Sequence, residues 1–366
     1  MHVFYKITLR FLYIVPNTGC SEANRREDMG FPEKDVRSLY IFSIATTILL
    51  CYNSLKYGFY AIFLLFIPKE SSRITAAKGA AYMAKHPRKW RLPGLLLFAI
   101  LAVLAALFLR WSNTVLQTTH FDPVFTDLPE GFDGCRAVVL GDLHATYFSE
   151  NSDRLLKAVR KAEPDYIFLV GDLLDANRDI PEGYVSRTAD GLTAIAPTYY
   201  VTGNHEWAAG DVPELKETLT AHGVTVLSNQ FLALERNGDT IVLAGIDDPN
   251  GYADQKTPET VAAEVYAAYG APFWVLLAHR NNLFAPQYSL LGADLVVSGH
   301  GHGGIIRLPF TDGLLSVDRT FFPSYTAGLY EENGSCLFVT RGLGNSGPTF
   351  RLFNRPEVAV LTLHKG

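Results

Sequence analysis

Cysteine is scarce in this chain of 366 residues, and charge is sparse as well. Four cysteines stand at positions 20, 51, 135 and 336, too few and too far apart for a disulfide framework or a thiolate zinc site. Cys135 and Cys336 could pair with each other, or both could be buried free thiols. Charged residues make up 19% of the chain and aromatic residues 12%, which excludes a disordered protein. The sequence also lacks a collagen-like period, a long heptad run and an internal repeat.

The charges that are present are distributed unevenly. Residues 1–112 hold 15 Lys and Arg against 6 Asp and Glu, whereas residues 113–366 hold 17 against 31. The acidic C-terminal part lacks the positive surface that nucleic-acid binding requires, so no nucleic acid is expected as a partner. The basic, apolar N-terminal part predicts attachment to a membrane.

Two uncharged apolar runs lie in this N-terminal part. Residues 92–109 are long enough to cross a bilayer as a helix, and Arg110 and Trp111 close the run as interface residues do. A buried core helix is the alternative for this run. Residues 39–55 continue as an apolar stretch beyond Lys56, which indicates a second span with a snorkelling lysine or a membrane-embedded hairpin.

The segment between the two runs decides the expected orientation. Residues 69–91 carry seven Lys and Arg against one Glu, so the positive-inside rule places them in the cytoplasm. The chain from residue 113 onward is then expected on the extracytoplasmic face of the cell membrane. We therefore predict an N-terminal tail (1–38), a membrane region with one or two transmembrane helices and a basic cytoplasmic loop (39–112), and a globular domain (113–366).

The globular part alternates short apolar runs, rich in β-branched residues, with amphipathic stretches. Strands are predicted at 136–140, 166–170, 198–201, 240–246, 273–277 and 294–298, and helices at 153–162, 213–222 and 258–269. This alternation favours an α/β sheet covered on both faces. Further strands, at 315–318, 336–340, 349–353 and 358–363, suggest a second sheet packed on the first. Residues 146–153, 178–191 and 247–257 are expected to be rim loops.

Five segments place a metal-competent residue directly after a predicted strand. They are Gly-Asp-Leu-His (141–144), Gly-Asp-Leu-Leu-Asp (171–175), Gly-Asn-His-Glu (203–206), Ala-His (278–279) and Gly-His-Gly-His-Gly-Gly (299–304). In open α/β sheets ligands bind beyond the carboxyl ends of the strands, so the five segments should converge. Each segment alone has an ordinary structural explanation, such as a turn, a helix cap or a buried histidine. Their combination in this order predicts a metal site.

This order of motifs resembles the calcineurin-like metallophosphoesterase superfamily over roughly residues 130–366. The Leu-Pro-Glu-Gly-Phe-Asp-Gly lead-in at 128–134 and the tail segments at 341–345 and 355–357 are similar to a membrane-associated bacterial branch that includes the phosphodiesterases YaeI and YkuE. The resemblance implies an α/β fold of the metallophosphatase type, a two-sheet sandwich flanked by helices and preceded here by transmembrane helices. It also implies that residues 113–366 form a metallophosphoesterase domain.

The resemblance implies seven metal ligands for two divalent ions, which would be Mn, Fe or Zn. These ligands form two sets joined by a shared carboxylate: Asp142, His144 and His302 for one ion, Asn204, His279 and His300 for the other, and Asp172 bridging both. A bridging carboxylate is the natural way to hold two cations close together, and nitrogen and oxygen ligands without thiolates suit these metals better than Ca²⁺. A hydroxide shared by the metals would attack phosphorus.

The same resemblance gives roles to three further residues, whereas Arg280 departs from it, standing where relatives more often have asparagine. His205 would be catalytic rather than a ligand, acting as a general acid or as a charge stabiliser. Glu206 and Asp175 would orient ligands, although both could instead cap helix starts. Arg280 could clamp a phosphate or be a surface charge.

The predicted function is therefore a membrane-anchored phosphoesterase with two metal ions, acting on a phosphodiester or phosphomonoester such as a lipid or envelope precursor. One alternative is a UDP-2,3-diacylglucosamine-type pyrophosphatase of lipid A synthesis. Its substrate is cytoplasmic, which conflicts with the charge pattern. A non-catalytic, membrane-tethered binding module is the alternative of a different class, and the intact set of candidate ligands argues against it.

Overall fold

The computed structural model describes residues 91–366, except positions 150–151, 211, 309–311, 318 and 347–349. The predicted tail, the apolar run at 39–55 and the basic loop up to residue 90 lie outside the described residues. The apolar run at 92–109 lies within the described residues, and so do all the residues of the candidate site.

A long apolar helix, α1 (Arg91–Thr114), is the first described element. Its segment Leu96–Thr114 has a mean hydropathy of 1.9, and only 6% of the window is buried. Leu96, Leu101 and Leu104 are each more than half exposed. Because the apolar side chains face outward, the alternative of a buried core helix finds no support. By length and composition this helix can cross a membrane.

The described chain beyond α1 forms strands and helices in close alternation. In chain order they are β1 (Gln117–Phe121), β2 (Val124–Phe125), β3 (Cys135–Leu140), α2 (Asp153–Lys161), β4 (Tyr166–Val170), α3 (Tyr184–Thr193), β5 (Thr198–Val201), α4 (Asn204–Ala209), α5 (Val212–Ala221), β6 (Thr225–Val226), β7 (Gln230–Arg236), β8 (Asp239–Gly245), α6 (Pro258–Tyr269), β9 (Trp274–Arg280), β10 (Leu295–Gly299), β11 (Gly328–Glu332), β12 (Ser335–Val339) and β13 (Glu357–Lys365).

These strands make two mixed sheets. The first has the order β1-β13-β3-β4-β5-β6, with β2 paired to β13, and the second has the order β11-β12-β10-β9-β8-β7. Strands β3 to β6 run parallel to one another, and β13 is antiparallel to β3. In the second sheet β8, β9, β10 and β12 are parallel, and β7 and β11 are antiparallel edge strands.

The core is arranged in layers. Between the sheets, Val139 and Phe168 of the first sheet belong to the same apolar cluster as Val275 and Val297 of the second. A second cluster packs α2, α3 and α5 on the outer face of the first sheet, and a third packs α6 on the outer face of the second. The fold is thus the two-sheet sandwich flanked by helices that the resemblance implies.

Three details differ from the sequence-based expectations. The expected rim loop 178–191 contains most of α3. The Ser, Thr, Asp and Gly residues of α3 have low helix propensity, but Tyr184, Ala189 and Leu192 are buried in the core, and their packing stabilises the helix. The expected strands at 315–318 and 349–353 are reduced to isolated bridges, Leu315 to Phe321 and Ile306 to Leu352. The β-rich tail does not form a sheet of its own, because β11 and β12 join the second sheet while β13 returns to the first.

The two cysteines of the described domain do not pair. Cys135 and Cys336 are both buried free thiols. Both lie in the apolar layer between the sheets, so they act as small hydrophobic side chains of the core.

Candidate metal centre

The five polar segments converge at one edge of the sandwich. Asp142, Asp172 and Asn204 follow within three residues of the ends of β3, β4 and β5 in the first sheet. In the second sheet His279 is the last residue but one of β9, and His300 follows β10. All five strands point their carboxyl ends to the same place, as ligand sites in α/β sheets require. The structure therefore brings together residues that are up to 160 positions apart in the sequence.

The backbone at these positions is unusual. Five of the seven candidate ligands adopt φ values between 46° and 64°: Asp142, His144, Asp172, His300 and His302. Non-glycine residues seldom occupy this left-handed region, and when they do they cluster at functional sites. The strain is held by the surrounding sheet and turns every one of these side chains toward the same small volume.

Glycines make room for the ligands at two points. Gly171 has φ of 81°, and a Cβ there would lie 2.6 Å from His279 Nδ1. A Cβ on Gly203 would lie 2.5 Å from the backbone nitrogen of Asp172. Neither position can accept a side chain without moving a candidate ligand, which is why glycine precedes these motifs.

The first ligand set is compact and buried. His144 Nε2 and His302 Nε2 are 3.1 Å apart, and His302 Nε2 is 3.6 Å from Asp142 Oδ1. His144 Nε2 is 3.8 Å from Asp172 Oδ2. One ligand atom from each of these four residues can be chosen so that all lie within 4.8 Å of one another.

The second set meets the first at Asp172. Oδ2 of this carboxylate is 3.2 Å from His279 Nε2, which is also 3.2 Å from Asn204 Oδ1. His300 belongs to the same group of mutually close ligand atoms. Because a single carboxylate oxygen faces histidines of both sets, Asp172 occupies the place of a bridging ligand.

The protonation of most of these groups suits cation binding, and His279 is the exception. Burial alone would lower the pKa of His279, but Asp172 beside it raises that pKa to about 10, so a cation would have to displace a proton from this ring. Burial lowers the pKa of His144 to about 4 and that of His300 to about 3, so both rings are neutral near pH 7 and offer lone pairs. Burial alone would raise the pKa of Asp172, but His279, His144 and His205 around it hold that pKa well below its usual value.

Among the candidate ligands, three buried atoms have no hydrogen-bond partner: Asp142 Oδ2, His144 Nδ1 and His300 Nε2. Leaving such atoms unpaired costs free energy, and a cation at the first set would remove that cost for Asp142, as one at the second set would for His300. Burial and the charge of Asp172 also raise the pKa of Asp142 to about 7, an unfavourable state that a bound cation would relieve. The residues present therefore fit a pair of divalent cations with nitrogen and oxygen ligands.

Comparison with known proteins agrees with this geometry. Residues 135–304 match the family model described as calcineurin-like phosphoesterase. An uncharacterized metallophosphoesterase of Campylobacter jejuni is 30% identical over 289 residues, which cover 77% of this chain and 74% of that protein. The chain belongs to the calcineurin-like phosphoesterase family.

Two other relatives support the branch as well as the family. The uncharacterized metallophosphoesterase YkuE of Bacillus subtilis is 28% identical over 259 residues, 68% of this chain and 86% of that protein. A protein of Danio rerio, named as a transmembrane protein with metallophosphoesterase domain, is 32% identical over 254 residues, 64% of this chain and 54% of that protein. As a calcineurin-like phosphoesterase, the chain is a metal-dependent hydrolase of phosphate esters.

His205 of this phosphoesterase lines a cavity of about 270 Å³ over the two ligand sets. The backbone N–H of Ala176 donates to His205 Nδ1 at 3.2 Å, and Ser346 Oγ lies 3.3 Å from His205 Nε2. In the neutral ring the proton is therefore on Nε2, the nitrogen on the side of Ser346. The side chain is 16% exposed, whereas those of the histidine ligands are at most 7% exposed.

Asp175 lies behind two of these histidines. Its carboxylate is 3.4 Å from His205 Nδ1 and 4.0 Å from His144 Nδ1, the ring nitrogen on the far side from His302. His144, Asp175 and His205 could on distance alone hold an ion, but they share His144 with the first set. Carboxylates in this position orient histidine rings, so the geometry favours orientation over capping, because no helix starts at Asp175.

Glu206 fulfils both of the roles suggested for it. Its buried carboxylate accepts hydrogen bonds from the backbone N–H of Gly203 at 2.6 Å, of Leu174 at 2.9 Å and of Asp172 at 3.0 Å. The first of these caps the start of α4, and the other two hold the turn that carries Asp172. Glu206 thus ties the second motif to the third.

Glu206→Gln is expected to lower the free energy of unfolding by about 2–3 kcal/mol, because an amide hydrogen would then face a backbone N–H that needs an acceptor. Denaturant unfolding of the metal-loaded protein measures the change. Glu214→Gln on the exposed start of α5 is the matched control and should leave stability within about 0.5 kcal/mol. Equal stability of the two variants would contradict this role for Glu206.

Arg280 has another partner than a substrate phosphate. Its Nε and Nη2 donate to the two oxygens of Asp248, at 2.7 and 3.1 Å, in a paired geometry. Asp248 is buried, and Arg280 is not part of the cavity wall. The structure therefore gives Arg280 a structural ion pair rather than a clamp or an isolated surface charge.

Sequence reasoning missed the arginine that does line the cavity. Arg351 is 1% exposed, and its guanidinium donates to Gly344 O and Arg341 O at 2.7 Å and to Asn345 Oδ1 at 3.0 Å. Nη2 is 3.4 Å from His302 Nδ1. Burial lowers the pKa of Arg351 to about 10, so it remains a cation beside the ligands. A charged residue inside the otherwise apolar stretch 350–353 was the available signal.

The last turn of α1 is fastened to this wall. Asn113 Oδ1 accepts from Arg351 N at 2.7 Å and from Asn345 Nδ2 at 3.0 Å, while Asn113 Nδ2 donates to Arg351 O at 2.9 Å. Asn113, in the last turn of the helix that could cross a membrane, is therefore hydrogen-bonded directly to Asn345 and Arg351, two residues of the cavity wall.

Asn113→Ala is expected to destabilise the domain by about 1–3 kcal/mol, because it leaves a half-buried backbone N–H and a side-chain amide without partners. Thermal unfolding in detergent reports the loss. Thr114→Ala is the matched control, since its hydroxyl bonds to Arg110 O within the helix at 2.8 Å. If both variants unfold at the same temperature, the helix is not fastened in this way.

Proposed function

We propose that the chain is a membrane-anchored phosphoesterase that hydrolyses a phosphodiester or phosphomonoester with two divalent metal ions. The observation that carries this proposal is the position of Asp172 Oδ2, 3.2 Å from His279 Nε2 and 3.8 Å from His144 Nε2. One buried carboxylate oxygen thereby faces both ligand sets. The proposed ligands are Asp142, His144 and His302 for one ion and Asn204, His279 and His300 for the other, with Asp172 shared.

The chain's own residues have defined tasks in this reaction. Two bound cations supply an activated water and stabilise the charge on the phosphoryl oxygens. The Arg351 guanidinium adds a fixed positive charge to the cavity wall, which attracts the anionic substrate and orients it. In its protonated form His205 carries a proton on Nε2, the nitrogen beside Ser346, and can donate that proton to the departing oxygen; the neutral ring with its proton on Nε2 can stabilise the charge there by a hydrogen bond.

The membrane anchor follows from α1 and from the charge of the segment before it. Residues 1–38 are proposed as a tail, 39–112 as the membrane region and 113–366 as the phosphoesterase domain. The seven positive charges at 69–91 favour a cytoplasmic position for the start of α1, and hence an extracytoplasmic catalytic domain. The Danio rerio relative is named as a transmembrane protein with this domain, which supports a membrane anchor.

Chelation is expected to abolish hydrolysis of bis(p-nitrophenyl) phosphate and p-nitrophenyl phosphate by the purified full-length protein in detergent. Activity should return with Mn²⁺, Fe²⁺ or Zn²⁺, and metal analysis should give two ions per chain, because each ligand set holds one. The relative rates on the two substrates separate diesterase from monoesterase action. A folded protein that binds no metal would contradict the enzymatic proposal and favour the binding module.

A further inference from the structure

The loops above the metal cavity form a ladder that begins at the membrane helix. Arg307 N donates to Leu352 O at 3.0 Å, Leu314 N to Ile306 O at 2.7 Å, and Phe322 N to Leu314 O at 3.0 Å. Residues 351–353, 305–307, 313–315 and 321–322 therefore lie side by side, with neighbouring segments about 5 Å apart. These four segments are called the roof below.

The roof carries exposed aromatic side chains at both ends. At the first end Phe353 packs on Phe108 of α1, with ring centroids 4.9 Å apart, yet it remains 46% exposed. At the other end Phe321 and Phe322 are 58% and 63% exposed. Three large exposed phenylalanines on one short ladder are more than the isolated apolar residues of an ordinary surface, and such groups mark contact sites.

The depth of this patch follows from α1. Phe108 lies inside the apolar stretch, three residues before Trp111, so it sits about 4–5 Å closer to the bilayer centre than that tryptophan. Trp111 is 43% exposed, and the Arg355 guanidinium lies over its ring at 4.8 Å. Tryptophan and arginine together are typical of the membrane–water interface. If α1 crosses the bilayer, the ring of Phe353 must reach the edge of its hydrocarbon.

The same roof closes the metal cavity. Ile305 and Arg351 of the roof line the cavity, together with Val317, which lies between Leu315 and Phe321 in the sequence. Arg351 is two residues from Phe353, so their Cα atoms are at most about 7 Å apart. A phosphate in the cavity would consequently lie within a side chain's length of the bilayer surface.

From this placement we propose that the roof docks on the lipid bilayer through Phe353, Phe321 and Phe322. The cavity would then take phosphate esters borne by membrane lipids, whose apolar chains stay in the bilayer while the phosphate reaches the metal ligands. The inference rests on the proposed function, since it requires α1 to be a membrane span. A bilayer is the occupant that fits, because Phe353 at one end of the roof packs on Phe108 of α1, whose apolar side chains are exposed.

Contact with the bilayer can be tested without measuring activity. Phe322→Trp and, as a matched control, Leu290→Trp would be placed in the full-length protein and reconstituted in phosphatidylglycerol vesicles. Leu290 is 67% exposed and precedes β10 at the end opposite the site. Lipids brominated on their acyl chains should quench the tryptophan at 322 and not the one at 290, each compared with the parent, which has four tryptophans.

Quenching at 322 no stronger than at 290 would overturn the docking proposal. Efficient cross-linking between two chains through a cysteine at position 322 would likewise overturn it and assign the patch to a second copy. Neither result depends on hydrolysis, so failure of the docking proposal is distinguishable from failure of the proposed function.

Lipid access is tested by two substrates with the same leaving group. They are soluble bis(p-nitrophenyl) phosphate and a diacylglycerol p-nitrophenyl phosphate carried in vesicles. The double variant Phe321→Ser, Phe322→Ser should raise the KM for the vesicle substrate about 10- to 100-fold, as expected when two aromatic side chains lose an apolar environment. Hydrolysis of the soluble diester should be unchanged, and Leu290→Ser should change neither reaction.

Unchanged hydrolysis of the vesicle substrate by the double variant would overturn the inference. Equal losses on both substrates would also overturn it, because the two phenylalanines would then only shape the roof. A parent protein that cleaves neither substrate contradicts the proposed function itself, whatever the quenching experiment shows.

Discussion

Asp172→Asn is expected to lower kcat/KM for bis(p-nitrophenyl) phosphate by about a thousandfold or more. The carboxylate is 1% exposed, and its Oδ1 accepts from the His205 backbone N–H at 2.9 Å. The amide oxygen of asparagine can keep this bond, which leaves the amide nitrogen facing His279 and His144. That nitrogen has no lone pair for a cation, and the substitution also removes one negative charge from the site. Together these changes should cost several kcal/mol of transition-state stabilisation.

Metal analysis separates this effect from unfolding. The variant should bind fewer than two ions per chain while its far-ultraviolet circular dichroism is unchanged, because the substitution is nearly isosteric. Asp190→Asn is the matched control, since this aspartate is 63% exposed and pairs with His222 on the surface. Full activity of Asp172→Asn would exclude a bridging carboxylate and with it the proposed pair of metal ions.

His205→Asn is expected to reduce kcat by about 10²- to 10⁴-fold, the usual contribution of a positioned general acid, while both metal ions remain bound. His205 lines the cavity wall rather than the buried ligand cluster, and an asparagine still fits beneath Ser346. The loss should be smaller for substrates with good leaving groups, since p-nitrophenolate departs without a proton. Comparison with an alkyl phosphate ester measures that difference.

The number of metal ions bound per chain of His205→Asn decides whether His205 is a general acid or a metal ligand. His222→Asn, at a surface position 34% exposed, controls for loss of an imidazole and should retain full activity. If His205→Asn instead loses one metal ion, then His205 is a ligand, and the group that it forms with His144 and Asp175 becomes a metal site in its own right.

The candidate ligand set could be predicted from the sequence because each of its motifs lies at or just beyond the carboxyl end of a strand. An apolar run that ends in Gly-Asp or Gly-Asn is a local signal, and parallel strands deliver their carboxyl ends to one edge without any further information. Glycine at 171 and 203 is visible in the sequence as a turn residue, but only the structure shows that a Cβ there would collide with His279 or Asp172. The sequence thus contains both the identity and the convergence of these residues.

The cavity wall could not be predicted, because it depends on contacts between distant segments. Arg351 becomes a cavity residue through Asn345 and Asn113, and Asn113 lies 238 positions before it. Helix α3 is likewise a product of packing, since its own residues are weak helix formers. The return of β13 to the first sheet is another long-range pairing that no local pattern announces.

The hydrogen bonds of Asn113 have a consequence for how such an enzyme would search for its substrate. With α1 embedded in a bilayer, no flexible linker separates the anchor from the catalytic residues, because Asn113 joins the helix end to Arg351 and Asn345. The active site would then stay at a fixed height and move only by lateral diffusion. Encounters would occur in two dimensions, and their rate would depend on the surface density of the substrate rather than on its bulk concentration.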